Sequence, residues 1–155
     1  MKNQKDPSKG LFCNQINLKI MIKYFPLIIS SVISSIILFQ SFFIAPSINK
    51  LIDNKQASRF LRYVWPKFFL LISFFSIVSI ILTHISNIKI EFSKLLYTLS
   101  FAFMLYFYLV TPLINKAKDN SQIRLWSILH ISTISLTLLT LIINLFIMFE
   151  QINNV

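Results

Sequence analysis

Residues 27–44 read LIISSVISSIILFQSFFI, eighteen positions without an Asp, Glu, Lys or Arg, of which twelve are Leu, Ile, Val or Phe. Those twelve favour insertion into a bilayer by roughly 4 to 7 kcal/mol before the serines are subtracted. The uncharged run reaches from 24 to 49, and three more follow at 68–88, 95–115 and 125–149. At 1.5 Å rise per residue even a run of 21 spans about 30 Å, the hydrocarbon thickness of a membrane. A soluble bundle would show a charged face on each helix with a period of 3.6 residues, and none of these runs does. The chain therefore reads as all-α, an integral membrane four-helix bundle. Its helices are expected at about 24–48, 64–88, 93–115 and 125–149.

Two stretches repeat one another where a long apolar run gives way to basic residues. Pro46, Ile48, Asn49, Lys50, Asp53, Asn54 and Gln56 recur as Pro112, Ile114, Asn115, Lys116, Asp119, Asn120 and Gln122, seven matches in eleven positions at a constant offset of 66. Composition alone would give about one match in such a window. The bundle is thus expected to consist of two related hairpins running in the same direction, a parallel repeat about an axis along the membrane normal, with both motifs on one face. Two readings of the motif stay open. It is a helix terminator, a proline followed by Asn-Lys and Asp-Asn for headgroup contact and capping. Alternatively Asp53 and Asp119, with Lys50 and Lys116, form a pseudo-symmetric gate or ligand site.

Composition agrees with a single membrane domain over 24–150 behind a basic polar tail at 1–23. The chain is 55% hydrophobic with sixteen Phe, and its one Gly, Gly10, lies outside the uncharged runs. Lys and Arg total 15 against 5 Asp and Glu, a net charge of +10. Because the cations flank apolar runs, anionic lipid headgroups are their expected partner, not nucleic acid. The lone Cys13 excludes an internal disulfide. The first apolar run is about twice the length of a signal-peptide core, so it is expected to remain as a helix. The abundance of Lys, Ile and Asn points to a bacterial inner membrane. Counting cations within about 15 residues of a span places the two repeat loops on the cytoplasmic side.

One stripe stands out inside the runs. His130, Thr133, Thr137, Thr140 and Asn144 are spaced 3, 4, 3 and 4, which puts them on one helical face. The first run adds Ser30, Ser34, Ser41 and Gln40, and the second adds Ser73 and Ser76. Hydroxyl and amide side chains in such places hydrogen-bond between helices, each bond contributing on the order of 1 kcal/mol. The competing reading is a polar path with His130 as its titratable member. His84 and His130 fall toward opposite membrane faces, on the order of 20 Å apart, and no His-x-x-x-His or Cys-x-x-Cys pair occurs. No metal site, cofactor or catalytic constellation is expected, and hence no enzyme.

Ala45-Pro46, the run from Gln56-Ala57 to Val64-Trp65-Pro66-Lys67-Phe68-Phe69, and Trp126-Ser127-Ile128-Leu129-His130 with Thr133 resemble a family found in bacteria and eukaryotes. That family is related to transmembrane protein 205 and catalogued as domain of unknown function 4149. The resemblance implies a four-helix membrane domain, with Pro46 closing the first helix, Trp65 and Pro66 at the entry to the second, and Trp126 with His130 at the entry to the fourth. In place of the glycines common in that family's first helix, this chain has Ser30, Ser31, Ser34 and Ser35. Two classes of function follow. One is a non-enzymatic membrane component that assembles, with itself or with another membrane protein, through polar helix faces. The other is a small oligomeric permeation or export element for an ion or small solute.

Overall fold

The computed structural model describes residues 24–85 and 91–153. The basic tail with Cys13, and Ser86 with Lys89 between the second and third helices, lie outside the described residues. The first helix, α1, spans Tyr24–Ile48 and continues through Ala45–Leu51. It is followed by α2 (Asn54–Ile85), α3 (Glu91–Asp119) and α4 (Ile123–Asn153). All four are long and apolar enough to cross a membrane, and the chain is a multi-pass helical bundle. In lipid a backbone group has no water to bond, so each segment satisfies its N–H and C=O groups internally as a helix.

The helices run well past the uncharged stretches, and this corrects the expected boundaries. α2 begins ten residues before position 64, and α3 continues to Asp119 instead of stopping at 115. Lipid thickness limits the apolar stretch and not the helix. Gln56, Ala57, Leu61 and Arg62, or Lys116 and Ala117, are good helix formers that carry the same rod into the headgroup region. Pro66 and Pro112 accordingly lie inside helices, and Trp65 with Pro66 sits within α2 and not at its entry. Pro46 does not close α1, which persists to Leu51 before Ile52 turns extended at φ −124°, ψ 136°.

Pro46 has a different effect. Just before it, Gln40–Ile44 form a π-helical turn, in which the Ala45 N–H donates to the carbonyl of Gln40, five residues back. A proline ring clashes with the carbonyl four residues upstream, and widening the preceding turn moves that carbonyl aside.

The interior draws on all four helices. Ile29, Ile33 and Ile37 of α1 pack with Phe68, Phe69 and Ile72 of α2, Met104 and Phe107 of α3, and Leu141 of α4. A second cluster joins Leu96 and Tyr97 of α3 to Ile143 and Ile147 of α4. Among the described residues, fifteen buried side chains are polar and seventeen apolar, while Phe42, Phe74, Leu109, Ile131 and Phe149 stand 59% to 71% exposed. Polar groups inside and large apolar groups outside are what lipid as a solvent selects.

Both interhelix loops of the repeat lie at one end, as the parallel-repeat reading expects. Arg62 near the start of α2 forms a bidentate pair with Asp119 at the end of α3, with Nη1 donating to Oδ2 at 2.9 Å and Nη2 to Oδ1.

Candidate functional site

The α4 stripe points into the bundle. Thr133, Thr137, Thr140 and Asn144 are 5%, 9%, 0% and 0% exposed. The interhelix bonding expected of the threonines does not occur. Their hydroxyls donate along their own helix, Thr133 to Leu129 O at 2.8 Å, Thr137 to Thr133 O at 2.7 Å and Thr140 to Leu136 O at 2.9 Å. A β-branched residue in a helix has its hydroxyl within reach of the carbonyl one turn back, and in lipid that local bond needs no neighbour. Only Asn144 reaches across, with Nδ2 donating to Thr140 O at 2.8 Å and to Ser100 Oγ of α3 at 3.4 Å. Its Oδ1 has no partner.

Gln40 is also inward, at the start of the wide turn of α1, and its Nε2 is unpartnered. Ser34 Oγ approaches Met148 Sδ of α4 at 4.0 Å. Ser30 is fully buried, whereas Ser41 faces outward.

The main hub of the interior escaped sequence reading. Tyr97 on α3 is 0% exposed, and its hydroxyl donates to the Pro26 carbonyl of α1 at 2.8 Å and lies 2.7 Å from Ser30 Oγ. A phenol has one proton, and a carbonyl can only accept, so Ser30 is the donor to Tyr97. The signal was present in a mixed form. Ser93, Tyr97, Ser100, Met104, Phe107 and Thr111 are all buried, with spacings of 4, 3, 4, 3 and 4, but Met104 and Phe107 interrupt the polar pattern. Toward the tail-side end, Ser93 Oγ donates to Glu150 Oε2 of α4 at 3.1 Å, and Lys94 Nζ lies 3.3 Å from His84 Nδ1.

His130 does not join the threonines in hydrogen bonding. It is half-buried near the loop end, its ring stacked on Trp126 with centroids 5.1 Å apart and planes 10° from parallel. The Lys118 ammonium sits 5.7 Å from the centre of the Trp126 ring. Lys118, Ser121, Gln122 and Trp126 also line a shallow recess with Ala117 and Ile123.

The repeated motif is not used symmetrically. In the first copy the chain breaks at Ile52 and Asp53, and Asn54 opens α2. In the second, the equivalents Lys118 and Asp119 remain helical, and the break falls at Asn120, Ser121 and Gln122, with Ser121 at φ 54°. Asp119 takes Arg62, whose counterpart 66 positions on is Ile128, while Asp53 stands exposed, as do Lys50 and Lys116. The two acids of the repeat therefore sit in different surroundings, Asp119 paired and Asp53 exposed. Both residues of the Arg62 pair lie beyond the uncharged stretches. There the guanidinium, through its hydrogen bonds and then its charge, holds the Asp119 carboxyl below the usual carboxylate range.

His84 and His130 are at opposite ends of the bundle, and among the described residues no three His, Cys, Asp or Glu side chains come together to hold a metal ion.

A family model described as Domain of unknown function (DUF4149) matches residues 27–123, from the first buried turns of α1 to the first residue of α4. No curated protein and no solved structure matches the chain.

Proposed function

Because the chain belongs to the DUF4149 family, whose description carries no activity, its role has to be argued from its own residues, and we propose a non-enzymatic component of the bacterial inner membrane. In this reading the chain is a self-contained helical module. Its polar faces turn inward, with Asn144 bonding across to Ser100 of α3, and its apolar exterior meets lipid or the helices of another membrane protein. One observation supports this above the rest: Thr133, Thr137, Thr140 and Asn144, the polar face that could have served a partner, are all buried within a single copy of the chain. With that face turned inward, association with a second copy or a partner would run through exposed aromatic and aliphatic side chains such as Phe42, Phe43 and Phe74.

The loop end carries Lys50, Lys55, Arg59, Arg62, Lys67, Lys116, Lys118 and Arg124 outside the uncharged stretches. A cationic collar of this kind favours the cytoplasmic side, where anionic headgroups and the insertion machinery retain it.

The test is Asn144→Leu, followed by thermal stability and by mass in detergent. An internal adhesive predicts a lower melting temperature with the oligomeric state unchanged. A change of oligomeric state at unchanged stability would overturn the reading. The export alternative is favoured by one observation, the set of buried polar atoms without partners, and it predicts lost solute flux in reconstituted vesicles at unchanged stability and assembly.

A further inference from the structure

Hydroxyls in this bundle have a habitual resting place. Those of Thr83, Thr111, Thr133, Thr137 and Thr140 all donate to the carbonyl one turn back, at 2.6 to 2.9 Å. Ser73 and Ser76 of α2 depart from it. They are 4% and 0% exposed, and neither Oγ has a hydrogen-bond partner. Ser79, the next inward hydroxyl on that face, is near the Tyr97 hydroxyl but outside hydrogen-bonding geometry.

Helix registers bring these groups to a common depth. The contact of Phe69 with Phe107, at 5.6 Å between ring centres, sets antiparallel α2 against α3, so that Ser76 and Ser100 are level, seven residues further along each helix. The bond from Asn144 to Ser100 puts Asn144 at the same level on α4. Ser76, Ser100 and Asn144 are all 0% exposed, and Asn144 Oδ1 is unpartnered. α2 and α4 nowhere bring Cα atoms within 8 Å of one another.

We propose that this level of the interior binds water, held by Ser76 Oγ, Ser100 Oγ and Asn144 Oδ1, and that the hydrated track continues past Ser79 toward the tail-side end. A buried water needs two to four polar partners, and three lie at this level. Leaving it dry would strand Ser76 Oγ and Asn144 Oδ1 in a low-dielectric interior at the cost of their full desolvation. The track ends abruptly toward the loop side, where Phe69, Phe107 and Met104, all nearly inaccessible, fill the section with apolar atoms. The chain thus encloses a polar half-path rather than an open pore. This inference does not depend on whether the protein assembles with a partner.

X-ray radiolytic footprinting of the intact chain in detergent tests it, because hydroxyl radicals generated from a bound water oxidise the side chains beside it even when these are shielded from solvent. Tyr97 should be oxidised, with exposed Tyr63 as positive control, whereas Phe69 and Phe107 stay unmodified. The double variant Ser73→Ala, Ser76→Ala should lose the Tyr97 signal and gain no thermal stability. If Tyr97 is as silent as Phe107 in the unaltered chain, the interior is dry there and the proposal fails, whatever the variant does. Oxidation of Phe107 along with Tyr97 would refute the closed end. A Tyr97 signal that survives the double substitution would refute the assignment to the α2 serines.

Discussion

Ser30 donates to Tyr97, and the Tyr97 hydroxyl donates in turn to the Pro26 carbonyl, so a single buried phenol ties α3 to two successive turns' worth of α1. Replacing it as Tyr97→Phe keeps the ring and removes both hydrogen bonds that tie α3 to α1. The expected cost is about 1 to 3 kcal/mol, read as a lowered melting temperature in detergent. Ser30→Ala should cost less, because the phenol retains Pro26. The double variant should cost less than the two singles combined.

Thr137→Val should be nearly silent, changing stability by at most about 1 kcal/mol, because the hydroxyl bonds only a carbonyl of its own helix and its loss strands no neighbour. Asn144→Leu removes the one bond of the stripe that crosses between helices, and should cost about 1 to 2 kcal/mol. Equal effects at the two positions would refute the distinction drawn between local and crossing bonds.

The Arg62 pair gives a test of topology and of charge together. In a Cys13→Ser background, Arg62→Cys with Asp119→Cys should be joined by a short bifunctional thiol reagent, while His84→Cys with Asp119→Cys should not, since these sit at opposite ends. The lowered Asp119 carboxyl means that the pair favours the folded chain above the ordinary carboxylate range. That contribution fades as pH falls through the lowered value. NMR titration of the Asp119 carboxyl should move back toward the ordinary range in Arg62→Gln. An unshifted titration in the unaltered chain would show that the pair is not held in the micelle.

The stack of His130 on Trp126 should be visible in fluorescence. In Trp65→Phe, where Trp126 is the one remaining indole, emission should fall as His130 is protonated, since an imidazolium in face contact quenches the indole. His130→Phe should abolish the dependence on pH.

The four spans were legible because a missing charge over twenty residues is a signal that lipid alone explains. Where the helices stop was not, because beyond the hydrocarbon nothing penalises a charged helix, and Asn54 to Lys67 and Lys116 to Asp119 simply continue the rod. The α4 stripe was readable from spacing, and Thr133, Thr137, Thr140 and Asn144 lie buried while His130 is half-buried. What spacing could not give was where each hydroxyl points, since Thr137 can serve a neighbour or its own carbonyl with equal sequence cost. Tyr97 was hidden for a related reason. A tyrosine in a membrane helix is ordinarily placed near an interface, and only the tertiary proximity of Ser30 and Pro26 makes it the centre of a network. The asymmetry of the repeat was likewise invisible at the motif, because it is decided by Arg62, which lies outside the matching positions.

The wide turn in α1 bears on how this lineage can gain and lose residues. Gln40 and Ile48 both point inward, yet eight residues of regular α-helix would leave them about 80° apart around the axis. The extra residue in the turn absorbs that slack. Excising Ser41 would let the segment close up as ordinary helix with both side chains on the same bearing, whereas excising Val32 would swing everything upstream of it out toward lipid. Length variation in α1 is thereby confined to a five-residue neighbourhood, and a shortened descendant of this chain should have its gap there.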